Sequence, residues 1–173
     1  TAPEDFPYPL SGTWATGHRA RRIREMLQEH EKLSVKDFAR MQMDTISVRA
    51  RNSIPHLVTT LSTVEDAAVL WVASLLKTWD CRIEPGSTGA AIFETFFAKW
   101  THRVAAERFE PEVAIEMAGA MGGLSVDLLS EDRHGWFKGD NREREIVVTI
   151  REVIEDLSRS IGTDMTLWTW GDL

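Results

Sequence analysis

Arg19 is the residue whose position first asks for a chemical reason. In the run H-R-A-R-R-I-R-E-M-L, Ala20, Ile23, Met26 and Leu27 recur at helical spacing and define one apolar face. At about 100° per residue, Arg21, Arg22, Arg24, Glu25, Gln28 and Glu29 fall on the other side. Arg19 instead lies between Ile23 and Met26, inside the apolar sector. A guanidinium there is costly unless it meets a carboxylate or several acceptors. Either its stem packs while its head snorkels out past the helix N-terminus, or the head meets such a partner. A second polar misfit follows. Gln42 sits at the centre of a face made by Val35, Phe38, Ala39, Ile46 and Ala50, with Arg49 beside it. A buried amide there must find hydrogen-bond partners and would tie helices together.

Other chemistry finds little support. The histidines, at 18, 30, 56, 102 and 134, show no H-x-H, H-x-x-x-H or H-E-x-x-H spacing, so no zinc site is expected. No P-loop, G-x-G-x-x-G or G-x-S-x-G occurs. Cys81, between Asp80 and Arg82, is either a reactive thiol or an incidental loop cysteine, and a single cysteine forms no internal disulfide. Glu152 with Glu155 or Asp156 reads as a solvated helix face. Thr1 could in principle act as an N-terminal nucleophile, but T-A-P-E-D-F lacks the small and amide residues that would shape a strand behind it.

Arg19 is placed by a helix that begins after Gly17. A second helix starts at Ser34, with Asp37 completing a capping box. Met41 and Val48 widen its apolar sector, which predicts cover on more than one side, and Pro55 ends or kinks it. From Val64 to about Thr78 the chain is apolar almost all round, which predicts a central buried helix capped through Ser62/Glu65 or Thr63/Asp66. Asp80 to Gly86 is a loop. Ser87 or Thr88 starts a helix with Ile92, Phe93, Phe96, Phe97, Trp100 and Val104 on one stripe, which is read as core. Pro111 opens a helix that Gly122-Gly123 stops. Trp136-Phe137 anchors a polar loop. Asn141 caps a last helix whose Ile146, Val147, Ile150, Val153, Ile154, Leu157 and Ile161 share a face, and Gly162 ends it.

Several stretches, in order, resemble the penicillin acylase family of N-terminal nucleophile hydrolases. They are P-Y-P-L-S-G-T-W-A-T-G-H-R-A-R-R-I, K-D-F-A-R-M-Q-M-D-T, Trp79-Asp80, S-T-G-A-A-I-F from Ser87, and W-T-W-G-D-L at 168–173. The resemblance is to the helical part of the large chain. It implies an amidohydrolase acting on penicillins, cephalosporin derivatives or acyl-homoserine lactones. It also implies a catalytic serine at the start of the large chain and a supporting asparagine, neither of which falls in this segment. The arginine of the family's R-A-x-R-I motif matches Arg19, which the resemblance makes a substrate-binding residue. Some members bind calcium through an aspartate in this region. Tyr8 to Ser11 carry no carboxylate, so no metal is expected there, and no cofactor is implied.

The expected fold is all-α: one irregular multi-helix domain over 1–173, with an extended leading segment at 1–16, helices over 17–162 and an extended exit strand at 163–173. Hydrophobic residues make up 43% of 173, enough for a packed core. A net charge of −7 disfavours nucleic acid. No apolar run approaches the about 20 residues of a membrane span. The expected partners are the small chain and catalytic core of the same enzyme and a small acyl amide. A strand would put Trp168 and Trp170 on one side. The rings then either fold back on the helices or meet a second copy, and contact between copies is favoured for at least one. By family analogy the compartment is periplasmic or extracellular. The alternative to an enzyme segment is a free-standing helical interaction module.

Overall fold

Ser87 caps the helix that the others surround. The computed structural model describes residues 16–132 and 135–173. Thr1, Tyr8 to Ser11 and the rest of the leading segment through residue 15 lie outside them. Eight α-helices occur among the described residues: α1 (His18–Gln28), α2 (Val35–Gln42), α3 (Val48–Leu61), α4 (Ala67–Thr78), α5 (Thr88–Ala106), α6 (Pro111–Ala118), α7 (Gly122–Ser130) and α8 (Arg142–Ser160). No strand forms among those residues; one antiparallel bridge, Ile46 with Arg82, is the only sheet-like pairing. The all-α expectation holds.

Helix α5 is the middle of the molecule, not α4. Ser87 Oγ accepts from Ala90 N–H and starts α5. Its Phe93, Phe96 and Trp100 are fully buried, and Phe97 nearly so. Phe96 stacks on Trp100 at 6.1 Å, and Trp100 on Phe137 at 5.3 Å. Trp100 Nε1–H donates to Ser125 O at 2.9 Å, so the buried indole leaves no polar atom unpaired. Helices α4, α6, α7 and α8 all pack on α5. Helix α4 buries Val69, Val72, Ala73 and Leu76 but leaves Leu70 exposed, because one side of it meets no other element. Its cap is Asp66, whose carboxylate accepts from Ala68 and Val69 N–H.

Three punctuation marks behave differently from their usual reading. Pro55 lies inside α3 and does not end it. The break comes earlier, at residues 43–47, where Ser47 N–H donates to Cys81 O and Ile83 N–H to Thr45 O. That pairing with the 81–83 loop uses backbone groups a continuous helix would need, and Ser47 then caps α3. Gly122 and Gly123 do not stop a helix; after a 3₁₀ turn at Gly119–Met121 they open α7. Pro111 to Ser130 is thereby a nearly continuous helical run, long and apolar enough to cross a membrane by length and composition alone. Its Ala114, Ser125, Leu128 and Leu129 are buried against the rest of the chain.

The exit strand does not form. Residues 163–173 make two 3₁₀ turns, Met165–Leu167 and Trp170–Asp172. Trp168 is fully buried and donates its Nε1–H to Gly162 O at 2.7 Å, while Trp170 is half-buried. Gly171 N–H donates to Pro85 O at 2.7 Å, tying this tail to the loop before α5. The two rings therefore do not share a strand face, and the Trp168 ring folds back on the helices. Burying the ring and pairing its N–H outweighs the extended backbone that alternation alone suggested.

One glycine inside α5 reverses an ordinary rule. Glycine to alanine in a helix normally stabilises by about 1 kcal/mol. At Gly89 an added Cβ would lie 2.4–2.7 Å from the Trp79 indole, which itself packs on Phe93. Gly89→Ala is expected to destabilise by about 1–3 kcal/mol, measured by urea unfolding. A neutral or stabilising result would show that the indole can move aside freely.

Candidate functional site

A groove of about 710 Å³ opens between α1, α2 and the start of α3. Gly17, at φ +75°, turns the chain into α1, a conformation that glycine adopts without strain. Met26 is the one buried residue of α1, while Ile23 and Leu27 are about 40% exposed and line the groove. Helix α2 is held at its start by the expected capping box: Ser34 N–H donates to Asp37 Oδ2 at 2.8 Å, and Asp37 N–H to Ser34 Oγ at 3.3 Å. None of its residues is buried. Phe38 and Met41 face the groove, and Gln42 lines it as an exposed amide, not a core tie. The expectation that α2 is covered on more than one side therefore fails. Once the chain breaks at residues 43–47, Ile46 and Ala50 no longer continue the α2 face, and Val35 is left 87% exposed.

Arg22 is the residue whose role the helical wheel missed. It sits on the nominally solvated side of α1 but reaches Asp44 in the break after α2. Its Nε–H donates to Oδ2 at 2.7 Å and its Nη2 to Oδ1 at 2.9 Å. The two side chains are 16% and 11% exposed. Hydrogen bonding to Asp44 raises the guanidinium's pKa, and hydrogen bonding to Arg22 holds the Asp44 carboxyl below the usual carboxylate range. A bidentate, partly desolvated pair of this kind fixes angle as well as distance. Glu25, bonded by Arg51 at 2.5 Å, adds a second tie from α1 to α3. No short-range signal pointed to Asp44, which lies 22 residues from its partner.

Arg19 lines the same groove and is exposed. Among the described residues it has no hydrogen bond or ion pair. Its neighbour His18 also lines the groove, with Nε2 buried and without a hydrogen-bond partner among the described residues. Arg49, on the far wall, donates to Glu94 and lays its guanidinium 4.3 Å from the Phe97 ring centroid. Its Nε is buried and likewise unpartnered. Each such buried group costs about 1–3 kcal/mol when it stays unpaired. Asp44, Ile46, Ser47 and Val48 complete the wall, so the groove combines an apolar surface with three guanidinium groups. Cys81 sits elsewhere. It is buried, and burial first, then Asp80, pushes its thiol pKa up, which keeps the reactive thiolate scarce at neutral pH.

Burial lowers the His18 pKa below 6.5; Arg49 and then Arg21 push the same way, and Asp127 opposes them. The imidazole is therefore neutral at pH 7. Because the folded value lies below the unfolded one, this site's contribution to stability is complete above pH 6.5 and is lost as pH falls from there through the folded value. NMR titration of the His18 ring should give a midpoint under 6.5, raised towards it by Arg21→Gln. A midpoint at or above 6.5 in the unaltered chain would contradict this environment.

No curated protein matches this sequence. The family model described as penicillin amidase matches residues 1–173, the whole chain. With Arg19, Arg22 and Ile23 of the R-A-R-R-I run on the wall of an open groove, the chain belongs to the penicillin amidase family.

Proposed function

We propose that this chain is the helical segment of a penicillin acylase-type enzyme that cleaves acyl amides, and that it forms one wall of the substrate cleft. In this reading the nucleophilic serine and the oxyanion donors lie in other parts of the enzyme, and the segment alone does not turn over substrate. Arg19 carries the reading. It stands in the apolar sector of α1, yet is exposed in the groove with no partner among the described residues. An unpaired guanidinium beside an apolar wall suits a small acyl amide that has both a hydrophobic body and acceptor oxygens. Penicillins, cephalosporin derivatives and acyl-homoserine lactones all have that character.

The face of α2 supports the second part of the reading. Val35 and Met43 are about 80% exposed or more, and Phe38 is about half exposed. The small chain and catalytic core of the same enzyme are the proposed cover for that face. Periplasmic or extracellular residence follows by family analogy.

The test uses the intact enzyme. Arg19→Ala is expected to lower kcat/KM for penicillin G by about tenfold or more, equivalent to about 1.4 kcal/mol of transition-state stabilisation. Arg24→Ala, an exposed neighbour outside the groove lining, should stay near the unaltered rate. Arg22→Ala is unsuitable as that comparator, because it releases the clasp on Asp44. Thermal melts of both variants separate lost folding from lost catalysis. Near-normal activity of Arg19→Ala would return Arg19 to a solvated surface role.

A further inference from the structure

We infer that Asp44 is a positioning residue: through Arg22 it fixes the roll of α1, and so the place of Arg19 on the groove wall. The inference rests on reading Arg19 as a substrate contact and names what holds that contact in place. Helix α1 packs on α3 but has little buried surface of its own. Met26 is its one buried residue, while Ile23 and Leu27 are exposed. One apolar contact does not define the roll of a helix about its axis, so directional bonds must set it. Arg22 has three carboxylates within reach: Glu25 at 3.5 Å, Glu29 at 3.7 Å and Asp44 at 2.7 Å. Glu25 and Glu29 travel with α1. Asp44 belongs to the break after α2, so it alone of the three can register α1 against the rest of the fold.

Asp44 stands on a fixed post. Directly after it, Thr45 O accepts from Ile83 N–H at 3.0 Å and Ser47 N–H donates to Cys81 O at 2.8 Å. The other bond from α1 to the body, Glu25 with Arg51, joins side chains that are 33% and 43% exposed, where water competes. The Arg22–Asp44 pair is two-pronged and only 16% and 11% exposed, so it dominates. Arg19 lies three residues before Arg22, about one turn away, and both line the groove. Arg19 makes no bond of its own among the described residues, so its place follows from the helix that carries it. At a side-chain radius of about 5–6 Å, a roll of about 10° moves a group by about 1 Å. A misplacement of about 1 Å can cost about 100-fold in rate.

The intact enzyme, with penicillin G as substrate, tests this. Asp44→Asn keeps the size of the side chain and removes the charge that Arg22 grips. It is expected to lower kcat/KM by about fivefold or more, with the loss in the same constant, kcat or KM, that Arg19→Ala changes. In an Arg19→Ala background the same substitution should change kcat/KM by less than about twofold, because the group it positions is gone. Hydrogen exchange should be faster at α1 amides in Asp44→Asn and unaltered at α5, which shows that the core is intact. Arg22→Lys keeps the charge but loses the fork, and serves in the same way if Asp44→Asn does not fold. Equal losses with and without Arg19, a loss in the other kinetic constant, or an unaltered rate would each overturn the positioning role. A near-normal Arg19→Ala enzyme would instead overturn the substrate reading, and the inference with it. An impaired Arg19→Ala beside an unaltered Asp44→Asn would sink the inference alone.

Discussion

Helices α4 to α8 are arranged by the need to keep water away from the aromatic side of one of them, α5. Phe93, Phe96, Phe97 and Trp100 of α5 present more apolar surface than any single neighbour can cover. Each aromatic ring buries on the order of 150–250 Å², so leaving even one exposed would cost several kcal/mol. Helices α4, α6, α7 and α8 therefore pack around α5, and the loop carrying Trp136 and Phe137 closes the stack. Trp136 Nε1–H donates to Val104 O at 2.8 Å, and Asp132 accepts from Trp136 and Phe137 N–H. The polar atoms of that loop thus allow its apolar rings to enter the core. The tail behaves the same way: Trp168 enters the core because Gly162 O can receive its N–H.

The groove is the part of the molecule that this core does not fill. Helices α1 and α2 lie outside it and bury little of their own surface. They are positioned by polar ties instead: Arg22 to Asp44 and Arg51 to Glu25. Polar ties are directional, so they can hold two helices apart as firmly as together. An apolar contact would have closed the gap. The result is an open concavity with apolar walls, in which the Arg19 guanidinium is exposed without a partner among the described residues. The same arrangement explains why Arg49 is half-committed. Glu94 and Phe97 anchor it to α5, and its Nε is buried without a partner among the described residues.

Ion pairs do similar work on the opposite side without opening a cavity of this character. Arg103 of α5 bonds Glu145 at 2.6 Å and Glu152 at 2.5 Å on α8, and Lys99 bonds Asp156 at 2.6 Å. These pairs flank a helix contact already made by Ile146, Ile150, Val153 and Leu157, which are buried. There the carboxylates are supplied by this chain for every cation named. In the groove Arg19 has no such partner among the described residues, which is the chemical difference between the two clusters.

The helical class, the aromatic stripe of α5, the Ser34–Asp37 box and the periodic face of α8 were all legible in the sequence. Each depends on residues within a few positions of one another, where spacing and capping chemistry act alone. Arg19 was legible as a misfit for the same reason. What only the tertiary structure decided involved partners far apart in the chain. Asp44 meets Arg22 across 22 residues, and the 81–83 loop breaks the helix that Val35 to Ala50 seemed to promise. Gln42 and Phe38 became exposed because that break removed the rest of their face. Trp168 and Trp170 alternate like a strand, but a buried hydrogen bond to Gly162 and a tie to Pro85 folded them back. Local periodicity tells which side of an element is apolar; only the packed chain determines which apolar sides find a neighbour.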